Sequence, residues 1–394
     1  MPEESASVSP PLPPEPNPAP RVSAIRWLGW VVFISLAGGI AYLFYFSGYR
    51  PLIANSSSSS TVELIRRKLA VSRDARTIVL GNSAAAEGFR ASVYNSVPSA
   101  SGPALNLGVP SAHMFLFEKI LDMALDRGLQ PEAVVIVLTP EALNLSILGE
   151  FDYLTNDLNV LKVELNFSDL PRLRHHAQSL GHFAEQAGLV LLRPTLFSGD
   201  LRDFSFRPIQ RLKDAEFVYG WLNSMTTLES FPETNNVFSI CEIEPLDQLE
   251  PLVAAERQNP DSPRLLHMER TLVSYQARLG GTSLLKVNEF EMGRFRKMLR
   301  RFTSRVSRVF IISAPYYDPD FVQIPSAFRA EFARELDQLA EQVPGVAVIP
   351  YFVPECGMMM DTVHLNRHGE LFSVYLREHI ESALAANEKP SESK

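Results

Sequence analysis

From Trp27 to Ser47 the chain reads WLGWVVFISLAGGIAYLFYFS, with no charged side chain. At ~1.5 Å rise per residue such a run crosses a hydrocarbon core of about 30 Å, so the pattern predicts a transmembrane helix over residues 25–48. Trp27, Trp30, Tyr42 and Tyr45 lie toward its ends, where amphipathic rings favour the headgroup region. Arg21 and Arg26 precede the run and only Arg50 closely follows it, which predicts a cytoplasmic N-terminus and an extracytoplasmic remainder, on the periplasmic side. An uncleaved anchor is favoured over a signal peptide: the polar lead is long, the apolar run exceeds a usual signal core, and no A-x-A site closes it.

Beyond the anchor, short apolar runs alternate with amphipathic stretches. Arg76–Leu80 is β-branched and apolar, ends at Gly81-Asn82-Ser83, and is followed by three helix-favouring alanines, a strand, a tight turn and a helix. Ala104–Leu107 is a second short run, and a helical pattern from Ala112 to Arg127 puts Phe115, Leu116, Ile120, Leu121 and Ala124 on one face. Ala133–Leu138 is continuously apolar, as strands buried on both faces are. Val309–Ser313, the amphipathic Ser326–Gln342, Val346–Tyr351 and a last helix over Asn366–Leu384 repeat the alternation. This order predicts an α/β fold: a doubly wound, flavodoxin-like parallel sheet with helices on both faces, over residues 67–386. A long, mainly helical insertion over 141–307, with helical patterns near Gln178–Leu192, Pro263–Leu279 and Val287–Thr303, is expected to cap the ligand end of the sheet and set specificity.

Composition changes this picture at the ends. Residues 1–24, rich in Pro, Ser and Glu toward their start, and 387–394 are expected to be disordered tails, and 49–66, with the run Asn55–Thr61, a flexible linker. The formal charge of −8 is spread without a basic face, which disfavours nucleic acid as a partner. Cys241 and Cys356 match no metal spacing; they either pair in an oxidising compartment or remain two separate thiols. No cofactor and no metal are expected.

A serine in a strand-to-helix turn has its hydroxyl exposed near converging backbone N–H groups, and Ser83 holds that position, although Ser is also among the commonest helix N-caps. Asp361-Thr362-Val363-His364 follows the last strand and precedes the last helix. A carboxylate there fixes the imidazole tautomer, and the imidazole takes the proton of the serine.

Three blocks carry a resemblance. VLGNSAAAEGF (Val79–Phe89) resembles the first block of the SGNH, or GDSL-like, hydrolases, with Asn82 where many members have Asp. NLGVPSA (Asn106–Ala112) is similar to the second block, and DTVHLNRHG (Asp361–Gly369) to the last. The resemblance covers about half the chain and implies a catalytic triad of Ser83, Asp361 and His364, with the backbone N–H groups of Ser83 and Gly108 in the oxyanion hole. The third block, normally Gly-x-Asn-Asp, is replaced by Leu138-Thr139-Pro140-Glu141, leaving Asn144, Asn106 or the Thr139 hydroxyl to stand in for its Asn. That departure, with a single membrane helix, is similar to the SGNH-like proteins of envelope-polymer modification, such as alginate O-acetyltransferases and the teichoic-acid D-alanylation protein. It implies an acyltransferase or esterase acting on a polysaccharide beside a multi-pass membrane O-acyltransferase, or a catalytically silent scaffold of the same fold. Tyr316 and Tyr317, at a strand end, are candidates to stack on a sugar ring or to fill the core, and His113 to line the pocket entrance or simply to start a helix.

Overall fold

The structure, a computed structural model, describes residues 21–42, 56–99, 101–143, 152–214, 216, 239–243, 248–259, 262, 264–265, 268–269, 271–273, 287–317, 326–361 and 363–388. The chain forms two compact units, Met1–Arg50 and Pro51–Lys394. In the first, helix α1 spans Arg21–Ala41, starting inside the expected tail. Among the described residues no helix is long and apolar enough to cross a membrane. The expected span runs on into residues 43–48, which lie outside the described residues.

The second unit opens with α2 (Ser56–Val71), so from Ser56 onward the expected flexible linker is helical. Val62, Ile65 and Leu69, buried at helical spacing, anchor this helix. Once that turn is nucleated, extension backward through serines costs only a few tenths of a kcal/mol each, on the order of ~0.5. Then follow β1 (Thr77–Gly81), α3 (Ser83–Gly88), β2 (Ala104–Asn106), α4 (Met114–Asp126) and β3 (Ala133–Leu138). The insertion contributes α5 (Tyr153–Leu161), α6 (Leu170–His176), α7 (Leu180–Leu191) and α8 (Glu289–Thr303). The chain closes with β4 (Arg308–Ser313), α9 (Ser326–Gln342), β5 (Val346–Val348) and α10 (Leu371–Glu388). The run expected as strand to Tyr351 stops at Val348, just ahead of Pro350, which has no N–H to give a ladder.

The five strands among the described residues are all parallel, in the order β2-β1-β3-β4-β5. Val79, Val135 and Phe310 stand in one register row and, with Ile312, pack in a single core with Phe89, Tyr94 and the α10 residues Phe372, Leu376 and Ile380. Ile78, Val134 and Val309, one residue earlier, point to the opposite face by the two-residue period of a strand. Each such buried side chain is worth roughly 1.5–3 kcal/mol, so the sheet is the most strongly determined part of the chain. Its order puts a switch point between β1 and β3, where chain connections leave in opposite directions and ligands bind beyond the strand ends.

The described helices of the insertion pack against the sheet domain, and the expected cap falls largely on residues outside the described ones. Helix α8 is the β3-to-β4 crossover and packs on α4 and β4, while α5 and α6 also pack on α4 and α2 packs on α5. Ionic contacts pin this layer. Glu118 and Asp122, one turn apart on α4, meet Arg172 of α6 and Arg301 and Arg305 at the α8 end. His176, buried, lies 3.3 Å from Glu118 and takes a hydrogen bond from Arg294 at 3.2 Å. Asp157 of α5, fully buried, accepts the N–H groups of His113 and Leu116, each at 3.0 Å, and so caps α4 from a neighbouring helix. Partnership across 41 and 44 residues is why no sequence pattern revealed these roles.

Replacing Asp157 by Ala leaves two buried N–H groups unpaired and is expected to lower unfolding stability by about 1–3 kcal/mol, read as a shift in denaturant midpoint. A loss under about 0.5 kcal/mol contradicts the cap.

Candidate active site

Gly81 closes β1 because nothing larger fits: a Cβ there would stand 2.5 Å from the Cβ of Ala85 and 2.7 Å from the Val137 carbonyl oxygen. Asn82 then caps α3, its Oδ1 accepting the Ala84 N–H at 3.1 Å, and Ser83 is the first residue of the helix. None of the described residues accepts the Ser83 N–H, one of the donors every helix start leaves open.

The partner residues come from the loop between β5 and α10, which is tied down at several points. Met359 bridges to Leu365, the Met360 N–H donates to the His364 carbonyl at 2.8 Å, and Asn366 holds the Gly357 carbonyl at 2.9 Å while capping the turn that opens α10. Met359 and Met360 are buried beneath it, where adaptable thioether side chains fill the space under the loop. This loop and the start of α10 are joined to the segment just after α3. The Arg90 N–H donates to Ser373 Oγ at 2.7 Å and its guanidinium to the Asn366 carbonyl at 3.3 Å.

These restraints bring together the three side chains that the sequence singled out. Ser83 Oγ lies 2.8 Å from His364 Nε2, and His364 Nδ1 lies 2.8 Å from Asp361 Oδ2. Asp361 Oδ1 accepts the N–H groups of Val363 and His364, each at 2.8 Å. Burial pushes the Asp361 carboxyl up, but the His364 imidazole, its hydrogen bond and the two backbone donors outweigh this and hold it at about 2. The carboxylate therefore accepts the Nδ1–H, which leaves the Nε2 lone pair for the serine hydroxyl. Such a relay is equipped to activate Ser83 as a nucleophile. Comparison of the chain with models of known protein families and with characterised proteins finds no match. The geometry has to carry the functional argument.

The expected oxyanion donors fare unevenly. The Gly108 N–H donates to Asn106 Oδ1 at 2.9 Å, so it is engaged within its own turn. Its glycine is required for another reason: a Cβ would stand 2.6 Å from the Ala86 nitrogen, so any side chain would push α3 off the sheet end. Asn106 is excluded as a donor, since its amide is spent on the carbonyls of Ala85, Ala86 and Phe89. Asn144 lies outside the described residues. Thr139, 7% exposed, accepts a hydrogen bond from Asn82 Nδ2 at 3.0 Å.

Tyr316 is 4% exposed, its N–H and carbonyl both bonded to the Tyr351 hydroxyl, and Tyr317 packs partly buried against the core. Stacking on a sugar at the surface is therefore corrected for Tyr316, which is buried. The tyrosine instead helps line a cavity of about 390 Å³ with Pro140, Ser313, Phe332 and Leu336; none of the triad residues lines it. His113, 2% exposed, is likewise no pocket-entrance residue: it stacks on Tyr153 at 4.3 Å, and its Nε2 lies 2.9 Å from the Ala142 carbonyl oxygen. Among the described residues no group of three or more His, Cys, Asp or Glu side chains is placed to hold a metal.

The structure joins the two cysteines. Cys241 and Cys356, with Cα atoms 5.4 Å apart and a sequence separation of 115, form a disulfide. Ser239 Oγ donates to the Cys356 carbonyl at 2.9 Å and the Ile240 N–H to the Met359 carbonyl at 2.8 Å. The insertion thus braces the loop that carries Asp361 and His364, a few residues ahead of Asp361, and no spacing of two cysteines alone announces such a brace.

Two outcomes follow. Replacing Cys241 by Ser is expected to cost about 2–5 kcal/mol, since closing so long a loop restricts the unfolded chain. A melting temperature insensitive both to this change and to reductant contradicts the brace. With Asp361 held at about 2, its protonation is expected to add nothing to the acid limb of the pH–rate profile above about pH 3, so that the limb has a slope no steeper than one there. A slope of two near pH 4 contradicts that electrostatic assignment.

Proposed function

We propose that this chain is a membrane-anchored serine acyltransferase or esterase of SGNH type, acting on ester-linked acyl groups of a cell-envelope or exported polysaccharide. One observation carries the reading: hydroxyl, imidazole and carboxylate from the two ends of the sheet domain stand in an unbroken 2.8 Å relay at the switch point of a parallel sheet. A relay of this geometry has few structural uses, because neither the serine nor the histidine is needed to fill the core.

In the chemistry, Ser83 Oγ adds to the acyl carbonyl as His364 Nε2 takes its proton. The tetrahedral adduct collapses, the C–O bond to the donor alcohol breaks, and the proton on His364 passes to the departing oxygen. The acyl group is then held as an ester of Ser83. A polymer hydroxyl, or water, enters with His364 taking its proton, and Ser83 leaves with that proton returned. Transfer and hydrolysis differ only in the second nucleophile.

The compartment follows from the anchor and the cysteines. The uncharged run Trp27–Ser47 is read as a single membrane span with the N-terminus inside, and the Cys241–Cys356 disulfide fits the oxidising side on which the catalytic unit then lies. There the natural donor is an acyl group delivered across the bilayer, and a multi-pass membrane O-acyltransferase is the partner this chemistry calls for.

The engaged Gly108 N–H and the replaced third block favour a second reading, a scaffold of the same fold that binds polymer without turning it over. Activity separates the two. The purified full-length chain is expected to hydrolyse p-nitrophenyl acetate, with Ser83→Ala lowering kcat by about a thousandfold or more. Turnover that is absent, or equal in Ser83→Ala, supports the scaffold instead.

A further inference from the structure

If the relay works as proposed, the negative charge that develops on the acyl oxygen needs a side-chain donor, and the three blocks of sequence provide none. We infer that Thr139 is that donor and that Asn82 is the positioning residue which aims it. The inference rests on the esterase or acyltransferase reading and specifies how its oxyanion is held.

The placement comes from the sheet. Gly81 pairs with Val137 in the β1–β3 register, so Ser83 and Thr139 each lie two residues beyond the same pair, leaving adjacent strands side by side at the switch point. Thr139 is held rigidly there. The residue after it is Pro140, which restricts it to extended backbone, and its carbonyl accepts the Ala142 N–H at 2.9 Å to close the following turn.

The direction of its hydroxyl follows from donor and acceptor chemistry. The Ala84 N–H can only donate, and it donates to Asn82, so the oxygen of that amide must face the helix. The amide nitrogen then faces Thr139, and because it too can only donate, Thr139 Oγ1 is the acceptor of their 3.0 Å bond. The single hydroxyl hydrogen of Thr139 is left to donate elsewhere. Among the described residues nothing accepts it, although the side chain is 7% exposed. A buried hydroxyl whose acceptor side is occupied and whose hydrogen has no taker is what an oxyanion site requires: a donor oriented before the charge appears.

The pairing also accounts for Asn at position 82. An Asp there keeps the cap on the Ala84 N–H but has no hydrogen to give, so Thr139 would donate to it and its hydrogen would be withdrawn from the substrate. A residue that restores the commoner sequence of the resembled family is therefore expected to damage this chain.

The test uses full-length protein and four variants assayed on p-nitrophenyl acetate: Thr139→Val, Thr139→Ser, Asn82→Asp and the Asn82→Asp/Thr139→Val double. Thr139→Val, which keeps the shape and removes the hydroxyl, is expected to lower kcat by about a hundredfold or more with KM changed less than about threefold. Thr139→Ser keeps the donor and is expected to stay within about fivefold of the parent on the same argument, which also controls for folding. Asn82→Asp is expected to fall comparably to Thr139→Val, and in the Thr139→Val background to cost no further factor beyond about twofold, the mark of two residues acting as one unit. The inference is overturned if Thr139→Val keeps more than about a tenth of kcat, if Thr139→Ser is as damaged as Thr139→Val, or if Asn82→Asp costs the same factor in both backgrounds. An inert parent chain overturns the enzyme reading and the donor together, whereas an active parent with unaffected variants overturns the donor alone.

Discussion

The hydrogen bond between Ser83 and His364 joins residues 281 apart in sequence, and the rest of the unit is arranged so that it forms. Neither side chain has a local reason to be where it is. The serine is fixed by the closeness of approach at Gly81 and Gly108, where α3 presses on the sheet end without room for a Cβ. The histidine is fixed by a loop whose backbone is bonded to itself, to Asn366 and, through Arg90 and Ser373, to the segment just after α3. A relay of this kind tolerates little displacement, because a shift of about 1 Å at the reacting atoms can cost a hundredfold in rate. The backbone bonds, the missing side chains and the disulfide all oppose that displacement.

Much of the sheet was legible in the sequence because its physics is local. Ala133–Leu138 reads as a strand buried on both faces and is one, and the alternation of short apolar runs with amphipathic stretches gave the parallel α/β class. The triad was legible for a different reason: three short blocks of chemistry-bearing residues each fell at a strand end, and a parallel sheet brings strand ends together. What stayed hidden depends on partners far apart in the chain. The capping of α4 by Asp157, the burial of His113 and Tyr316, and the spending of the Asn106 amide on three carbonyls all require knowing which element lies alongside which. Asn55–Thr61 misled for the opposite reason: a serine run has weak preferences of its own, and the apolar face of the residues after it decided the matter.

The insertion has a double role that its length alone did not suggest. Its described helices thicken one side of the sheet, held to α4 by ionic contacts of Glu118 and Asp122, and α8 serves as an ordinary crossover. Near Ser239–Cys241 the same insertion meets the loop that carries Asp361 and His364 and is bonded covalently to it. Stability of the layer and geometry of the site are thereby coupled through Cys356, a few residues from Asp361.

The central claim is that Ser83 is a nucleophile activated by His364, and covalent capture addresses it most directly. The account predicts that a fluorophosphonate reacts once per chain, that the added mass maps by peptide mass spectrometry to Ser83, and that His364→Ala abolishes the adduct. An adduct on another residue, or none on a folded chain, would contradict it.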